Sequence, residues 1–392
     1  MAFPAQIALP VPKLGEPVGR AWLASHGHPD GEVSVEHLTF VRAGSTLAVL
    51  DERSRNGTFV GGVRVAPGTP APLVDGAVLR IGRTLFVYRG AVADREPDAP
   101  LLRKLVGPWG LKDARAALGT LHAQGARNVL VEGPTGAGKE LVAAAAIAAL
   151  RRPAPHATVN MAAISAGVFE AHLFGWRRGA FSGSGDGGPG VFAAHDGRAV
   201  FLDELGELPL ELQPRLLRLL ENREIQPVGA SAAVTVDVAI VAATNRDLDQ
   251  MVRDRTFRAD LLARFDRRIQ LPALKDRPED VYAIISELCT RENAALDRDH
   301  VEVEAVERLL LHNWEENVRE VVRLVARLKS SRALTLELVE ELLGTRKDMK
   351  GAPLTTTVAK DAVAAHASKA SAARALGVSR GSLLRALKKP PQ

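Results

Sequence analysis

The stretch "VLVEGPTGAGKE" at 129–140 runs from apolar residues into a glycine-rich turn and then into a helix-forming segment. Gly133, Gly138 and Lys139 meet the spacing G-x-x-x-x-G-K, with Pro134, Thr135, Gly136 and Ala137 between them and Glu140 after them. Such a turn lets backbone N–H groups close around phosphate oxygens, and the new helix adds its positive end. Lys139 would reach the outer phosphates. A Ser or Thr usually follows this lysine and binds magnesium; Glu140 stands there instead. In "AVFLDE", 199–204, four apolar residues run into adjacent acids. Asp203 is placed to hold Mg2+, directly or through water, and Glu204 to polarise an attacking water. In "VAATNRDL", 241–248, a buried strand ends in Thr244 and Asn245, polar groups able to hold a water near a γ-phosphate. Each feature alone admits a plain structural reading, as a glycine turn or a surface acid pair. The three in this order predict hydrolysis of a nucleoside triphosphate with Mg2+.

These residues need an α/β frame, and the sequence supplies one. With 392 residues the chain should hold two or three domains. Residues 1–92 are short β-type runs, "LTFV", "TLAVL", "GTFV" and "VLRIGRTLFVYR", separated by turn signals, which predicts an antiparallel sandwich. A polar linker covers 91–104. Over 105–275 the buried strands "NVLVEG", "ATVNM", "AVFLDE" and "VAIVAATN" alternate with helical stretches, as in a parallel sheet. Residues 276–345 read as helical, 345–357 as a second linker, and 356–392 as a small helical unit. The fold class expected is thus multidomain: β-sandwich, α/β P-loop domain with a helical lid, and an all-α tail.

Composition narrows the setting. No apolar run reaches membrane-spanning length, and the N-terminus lacks a charged-then-apolar signal pattern, so a cytoplasmic chain with no membrane partner is expected. The single Cys289 cannot pair within the chain and reads as a small buried side chain. Net charge is +5, and seven Lys/Arg against one acid fall between Thr355 and Gln392. A basic terminal segment on a near-neutral body predicts a nucleic-acid contact, with a solubilising tail as the alternative.

Residues 105–344 resemble the AAA+ ATPase domain of bacterial enhancer-binding proteins, the activators of sigma-54 RNA polymerase. The resemblance rests on "GPTGAGKE", where Glu140 is the family's habit, and on "LFGWRRGAFSGS", "FLDELGELPLELQPRLLRLLE", "AATNRDL", "FRADLLARF", "LPALKDRPEDV" and "NVRE". It implies that Asn160 restrains Glu204 until nucleotide is seated. It implies that Arg258 and Arg264 reach into a neighbouring subunit's ATP, in a hexameric ring, and that Arg319 senses the γ-phosphate. Arginine suits such work, being always charged and forked. The resemblance makes "GAFSGS" the loop that grips sigma-54, with Phe181 as the contact and Ser182 beside it. The family's usual residues are Thr at 182 and Ala at 184, where this chain has Ser. The family also has Pro-Gly after the lid tryptophan, where Trp314 is followed here by Glu315 and Glu316.

The two ends carry further resemblances. "SKASAARALGVSRGSLLRALKK", 368–389, reads as two short helices around "GVS" and looks like a Fis-type helix-turn-helix. Arg380, Ser382 and Arg385 would face a major groove of double-stranded DNA, with Lys388 and Lys389 near backbone phosphates. The head resembles a forkhead-associated (FHA) domain, a sandwich that binds phosphothreonine peptides, through "GR" (19–20), "SVEH" (34–37), "SRNGTFVGG" (54–62) and "LVDGAVLRIG" (73–82). Arg20, Ser34, Arg55 and Asn56 fall at that family's peptide-binding positions, and His37 and Gly57 at bracing ones. Phosphate recognition needs cations and short donors in loops at one end of a sandwich.

The expectation is a transcriptional activator that binds an enhancer-like DNA site. A phosphothreonine protein, the substrate of a Ser/Thr kinase, would control it, and ATP hydrolysis would remodel the sigma-54 closed complex. The rival is a DNA-bound phosphopeptide adaptor or repressor that keeps the ATPase fold without driving sigma-54, motivated by the altered loop and lid motifs.

Overall fold

Short apolar runs broken by Gly, Asp and Asn turn signals can bury one face only by pairing antiparallel and stacking. In the computed structural model they do so. The structure describes residues 1–91, 106–107, 109–180, 186–292, 296–297, 300–328 and 333–344. The head contains β1 (Pro17–Val18), β2 (Leu38–Ala43), β3 (Thr46–Asp51), β4 (Thr58–Val60), β5 (Val63–Arg64), β6 (Ala71–Pro72), β7 (Val78–Ile81) and β8 (Thr84–Val87). They form two four-stranded antiparallel sheets, ordered β1-β2-β3-β6 and β5-β4-β7-β8. The sequence reading contains no helix here, yet "RAWLAS" forms α1 (Arg20–Ser25). Its residues are good helix formers without a β-branched member. Leu23 is fully buried beneath it, and Trp22 packs on His26 and Phe86.

The α/β segment begins with α2 (Lys112–Thr120) and β9 (Asn128–Glu132), then α3 (Lys139–Ala149), β10 (Ala157–Asn160), α4 (Ala166–Phe174), α5 (Gly190–Ala194) and β11 (Ala199–Asp203). It continues with α6 (Gln213–Asn222), the hairpin β12 (Glu224–Ile225) and β13 (Val234–Thr235), β14 (Ala239–Thr244), α7 (Leu248–Arg253), α8 (Ala259–Leu262) and β15 (Arg267–Gln270). The sheet is parallel and ordered β10-β11-β14-β9-β15. Alternate residues go to opposite cores. Leu130, Val200, Leu202, Ile240 and Ala242 join one apolar cluster, while Val129, Val131, Phe201, Val241 and Ala243 join the other. β15 is absent from the sequence reading because "RRIQ" has one apolar residue. It pairs at the sheet edge, where Arg268 forks onto Glu132 and reaches Asp249.

The helices α9 (Pro278–Arg291), α10 (Val303–Leu310), α11 (Val318–Leu328) and α12 (Leu336–Leu343) follow. The chain divides into two compact units. Among the described residues, one contains those within Met1–Leu9, Arg89–Leu296 and Leu310–Arg332; the other contains those within Pro10–Tyr88 and Asp297–Leu309, with 333–344. The division differs from the sequence-based boundaries: residues 1–9 join the ATPase-like unit, and α12 with most of α10 joins the head. Cys289 is buried in α9, as expected. Among the described residues no helix is long and apolar enough to cross a membrane. Phe181, Ser182 and the whole tail with Arg380, Ser382, Arg385 and Lys388 lie outside the described residues.

Candidate functional site

The glycine-rich turn leaves β9 at Glu132 and enters α3 at Lys139. Lys139 is buried at the first turn of that helix, its Nζ donating to the Gly133 and Pro134 carbonyls at 3.2 and 3.4 Å. Burial pushes the Lys139 ammonium below its ordinary value. Glu204 and Asp203 oppose that shift, and Arg319 adds to it. The lysine, the acid pair and the lid arginine thus share one electrostatic field. A lysine held by two carbonyls, which are weak partners, is poised to exchange them for phosphate oxygens.

Asp203 ends β11, and its Oδ1 accepts from the Glu204 N–H at 3.0 Å. Glu204 has φ +55, outside the strand conformation. The register sets Asn160 beside Asp203. The Asn160 side chain accepts from Ala162 N–H at 2.9 Å, capping the turn that follows β10. Among the described residues it makes no hydrogen bond to Glu204. Asn245 donates to the Thr135 hydroxyl at 3.0 Å, tying the end of β14 to the turn. Thr244, expected to face a water, is instead fully buried and accepts from Arg246 N–H.

The lid side of the turn is built by residues the sequence reading did not assign. Asn317, 3% exposed, donates to the Thr135 carbonyl at 2.9 Å and accepts from Leu274 N–H at 2.7 Å. Val318 N–H donates to the Gly136 carbonyl, which seats the start of α11 on the turn and leaves Arg319 exposed beside it. Gly136 has φ +75, and a Cβ there would lie 2.1 Å from the Glu316 carbonyl oxygen, so only glycine fits. Trp314 and Asn317 take positive φ, at +46 and +55. That is how "WEEN" closes its turn without Pro-Gly. Arg277, 1% exposed, donates to the Ala137 carbonyl at 3.3 Å. The only signal for these roles was membership of "NVRE" and "KDRPEDV".

Arg258 and Arg264 sit at either end of α8. Arg258 forks onto Asp260 at 3.0 and 2.7 Å, and Arg264 pairs with Glu221 at 2.9 Å. Both pairs are solvent-exposed and hence weakly held. Behind Arg258 lies Gln213, fully buried, which accepts from the Arg258 N–H and donates to the Leu208 and Thr256 carbonyls. Gln213 thereby sets where Arg258 leaves the backbone.

In the head, the first residue of α1 and three loop residues converge. Arg20 donates to the Val33 and Gly31 carbonyls, Arg55 N–H donates to Ser34 Oγ at 3.1 Å, and Asn56 donates to the Glu32 carbonyl at 2.7 Å. Gly19 makes the approach possible, since a Cβ there would lie 1.8 Å from the Val35 carbonyl oxygen. His37 braces the loops. Its Nδ1 accepts from Ser34 N–H and its Nε2 donates to the Gly57 carbonyl, a tautomer these partners impose. Burial holds the His37 imidazole below its ordinary value, although the Gly57 carbonyl and nearby acids oppose this. Asp51, 2% exposed, accepts from Ser54 N–H and Oγ and from Thr58 N–H and Oγ1. Burial alone would raise its carboxyl; these bonds more than offset it and hold the group below its ordinary value.

The geometry agrees with the relatives of the chain. Residues 111–270 match the sigma-54 interaction domain, and residues 18–82 match the FHA domain. The DNA-binding transcriptional activator HyfR of Escherichia coli is 45% identical over 204 residues, which are 51% of this chain and 30% of HyfR. A formate hydrogenlyase transcriptional activator of Salmonella typhimurium is 37% identical over 285 residues, covering 68% of this chain and 41% of its own. The regulator NtrC of Rhizobium meliloti is 37% identical over 238 residues, covering 59% and 49%. The chain therefore spans less than half the length of each of these relatives. The crystal structure of NtrX from Brucella abortus in complex with ATP superposes with a TM-score of 0.51 at 26% identity, covering 73% of this chain and 68% of that one. Two features thus agree, a parallel sheet in which β9 runs into the glycine turn and a sandwich whose loops approach Ser34: the chain carries an AAA+ ATPase domain of the sigma-54 interaction type over 111–270 and an FHA domain over 18–82.

Proposed function

We propose that this chain is a sigma-54-dependent transcriptional activator that binds enhancer DNA and spends ATP to remodel the closed promoter complex, under phosphothreonine control. The observation that carries the ATPase half is Lys139, buried at the start of α3 with its Nζ on the Gly133 and Pro134 carbonyls, while Asp203 ends β11 of the parallel sheet that also holds β9, and Glu204 follows it. Lys139 and the backbone N–H groups of 133–140 hold the phosphates. Asp203 offers one carboxylate, a donor set that fits Mg2+ when phosphate oxygens and waters supply the rest. An ion held there would supply positive charge against the transferred phosphoryl group. Glu204 polarises the water, and Asn245, anchored to Thr135, lines the same end of the sheet. Arg258 and Arg264 exchange their exposed carboxylates for the ATP of a neighbouring subunit, which makes the active form a closed, hexameric ring.

The head reads a phosphothreonine on a partner or on another copy of the chain. Arg20 at the start of α1 and Ser34, Arg55 and Asn56 on loops stand close together, and a dianionic phosphate draws charge-assisted bonds from such donors. The basic tail with Arg380, Ser382, Arg385 and Lys388 takes the DNA. The lid turn at "WEEN" keeps its contact with Gly136, which supports a working lid and disfavours the adaptor reading.

The test is binding of purified sigma-54 in the presence of ADP and a γ-phosphate transition-state mimic, wild type against Phe181→Ala. A complex that needs both the mimic and Phe181 is expected. No complex, from a chain that still hydrolyses ATP, would replace the activator with the adaptor or repressor. For the head, the check is a phosphothreonine peptide panel; no binding, with Arg20→Ala equal to wild type, removes phosphothreonine control.

A further inference from the structure

Asn128 opens β9, a strand buried along all five of its residues. It is 3% exposed, and a buried amide is tolerated where its hydrogen bonds are met. Here they are met around Arg264. The Asn128 Nδ2 donates to the Arg264 carbonyl at 2.9 Å and, at 3.5 Å, to the Leu220 carbonyl in the last turn of α6. Its Oδ1 accepts from Arg223 Nη1 at 3.2 Å, and that guanidinium also donates to the Val238 carbonyl. The backbone closes the clasp. The Asn128 carbonyl accepts from Asp266 N–H at 2.9 Å. The Asp266 carboxylate in turn accepts from Asn128 N–H at 2.7 Å and from Arg127 N–H at 2.8 Å. Residues 264–266 are therefore held on both sides of Phe265, which is itself buried in the core.

The root of Arg264 is fixed while its tip is not. The guanidinium pairs with Glu221, and the two side chains are 47% and 42% exposed, so the pair is weakly held. Glu221 follows Leu220, so one amide holds the backbone beside both members of the pair. An arginine that exchanges a carboxylate for a phosphoryl group needs this division. Its backbone must not drift, because a displacement of about 1 Å at a reacting group costs on the order of 100-fold in rate. Its tip must be free to leave.

Gln213 does similar work for Arg258 from α6. Asn128 differs in its place. It stands at one end of β9, and the phosphate turn leaves the other end after Glu132. One strand thus carries the chain's own phosphate turn and the root of an arginine offered to a neighbour.

We propose that Asn128 is a positioning residue for Arg264, setting where that side chain enters the nucleotide site of the neighbouring subunit. This rests on the reading of Arg264 above as an arginine supplied in trans. The test uses the full chain, wild type against Asn128→Ala and Asn128→Asp. Alanine removes the donor; aspartate replaces it with an acceptor while keeping the size and the Arg223 contact. Steady-state kcat, KM and ADP affinity are measured for each variant alone. Turnover is then measured in mixtures of each variant with Lys139→Ala, a chain that lacks the phosphate lysine but keeps Arg264. Each variant alone is expected to lose kcat roughly ten- to a hundredfold, with KM and ADP affinity unchanged. Each mixture is expected to turn over more ATP than the sum of its two chains measured apart, because Lys139→Ala subunits present a well-placed arginine to intact nucleotide sites. Arg264→Ala mixed with Lys139→Ala is the control. Unchanged kcat in both variants would overturn the assignment. So would ADP affinity falling together with turnover, which would place the effect in the phosphate turn. Recovery in the control mixture without recovery in the Asn128 mixtures would overturn it too. If the control mixture does not recover, or the wild type turns over no ATP, the trans or the ATPase reading fails and the assignment falls with it. If Asn128→Ala does not fold, Asn128→Asp decides.

Discussion

Asn317 is the residue on which the joint between lid and phosphate turn depends, and Asn317→Ala measures it. The side chain is 3% exposed and serves two backbone groups, the Thr135 carbonyl and the Leu274 N–H. Leu274 is fully buried, so alanine strands its N–H at a cost of ~1–3 kcal/mol. Thr135 is exposed, so its carbonyl can turn to water and the loss there is the net bond, ~0.5–1.5 kcal/mol. The backbone at 317 has φ +55, which asparagine tolerates and alanine resists by ~1–2 kcal/mol. Together these give about 3–6 kcal/mol. For a unit of this size that lowers the melting temperature on the order of 10 °C. Asn317→Gly loses the same hydrogen bonds without the backbone strain, so it should recover ~1–2 kcal/mol of the loss. The assay is thermal unfolding of the purified chain together with its affinity for ADP, which should weaken in both variants, alanine more. An alanine variant that melts with the wild type and binds ADP equally would refute the reasoning. Equal losses in alanine and glycine would refute the strain argument alone.

Asp51→Ala removes the acceptor of four bonds and strands two buried backbone N–H groups, for at least ~2 kcal/mol. The head should melt lower and lose phosphothreonine peptides, and an unchanged melt with unchanged binding would contradict this. His37 is held neutral by burial, so its folded value lies below its unfolded one. The head should therefore keep that stability above about pH 6.5 and lose it as the pH falls through the lowered value, with His37→Asn flat over the same window. Asp280 behaves oppositely: burial pushes its carboxyl up to about 6, against the pull of Arg277. Wild type should thus lose stability relative to Asp280→Asn as the pH rises from about 4 to about 6, then run parallel to it, as a melting series would show. Gly19→Ala puts a Cβ 1.8 Å from the Val35 carbonyl oxygen and should splay the loop carrying Ser34, read as lost peptide binding from a head that still folds.

Much of this was legible before any coordinates. The buried strands β9, β10, β11 and β14 announce themselves as apolar runs, and the glycine spacing at 133–139 with the acids at 203–204 marks one end of the sheet. What could not be read was whatever depends on a partner distant in sequence. Asn317 lies 182 residues from Thr135, and Gln213 lies 45 from Arg258. Nothing local distinguishes either from a surface amide. Glu304 and Glu307 look like the solvent face of an ordinary helix; only Arg80, over 220 residues earlier, makes one of them a buried group. Thr244 misled for the converse reason. Its position at a strand end suggested an open hydroxyl, but its own neighbour Arg246 takes the bond and the strand encloses it.

The place of β9 in its sheet bears on how the protein is made. Its two neighbours are β14 and β15, both more than 100 residues downstream. As the chain leaves the ribosome, the phosphate turn emerges on a strand with no partner, and it stays unpartnered until β14 has been synthesised, with its second neighbour β15 following later. Pairings this distant in sequence close slowly, because the loop entropy comes due before any contact repays it. The clasp of Arg268 onto Glu132 closes last, joining the final strand to the first. A nascent chain cut before β14 holds every residue of the phosphate turn and no neighbour for the strand that carries it, so nucleotide binding arrives late during translation.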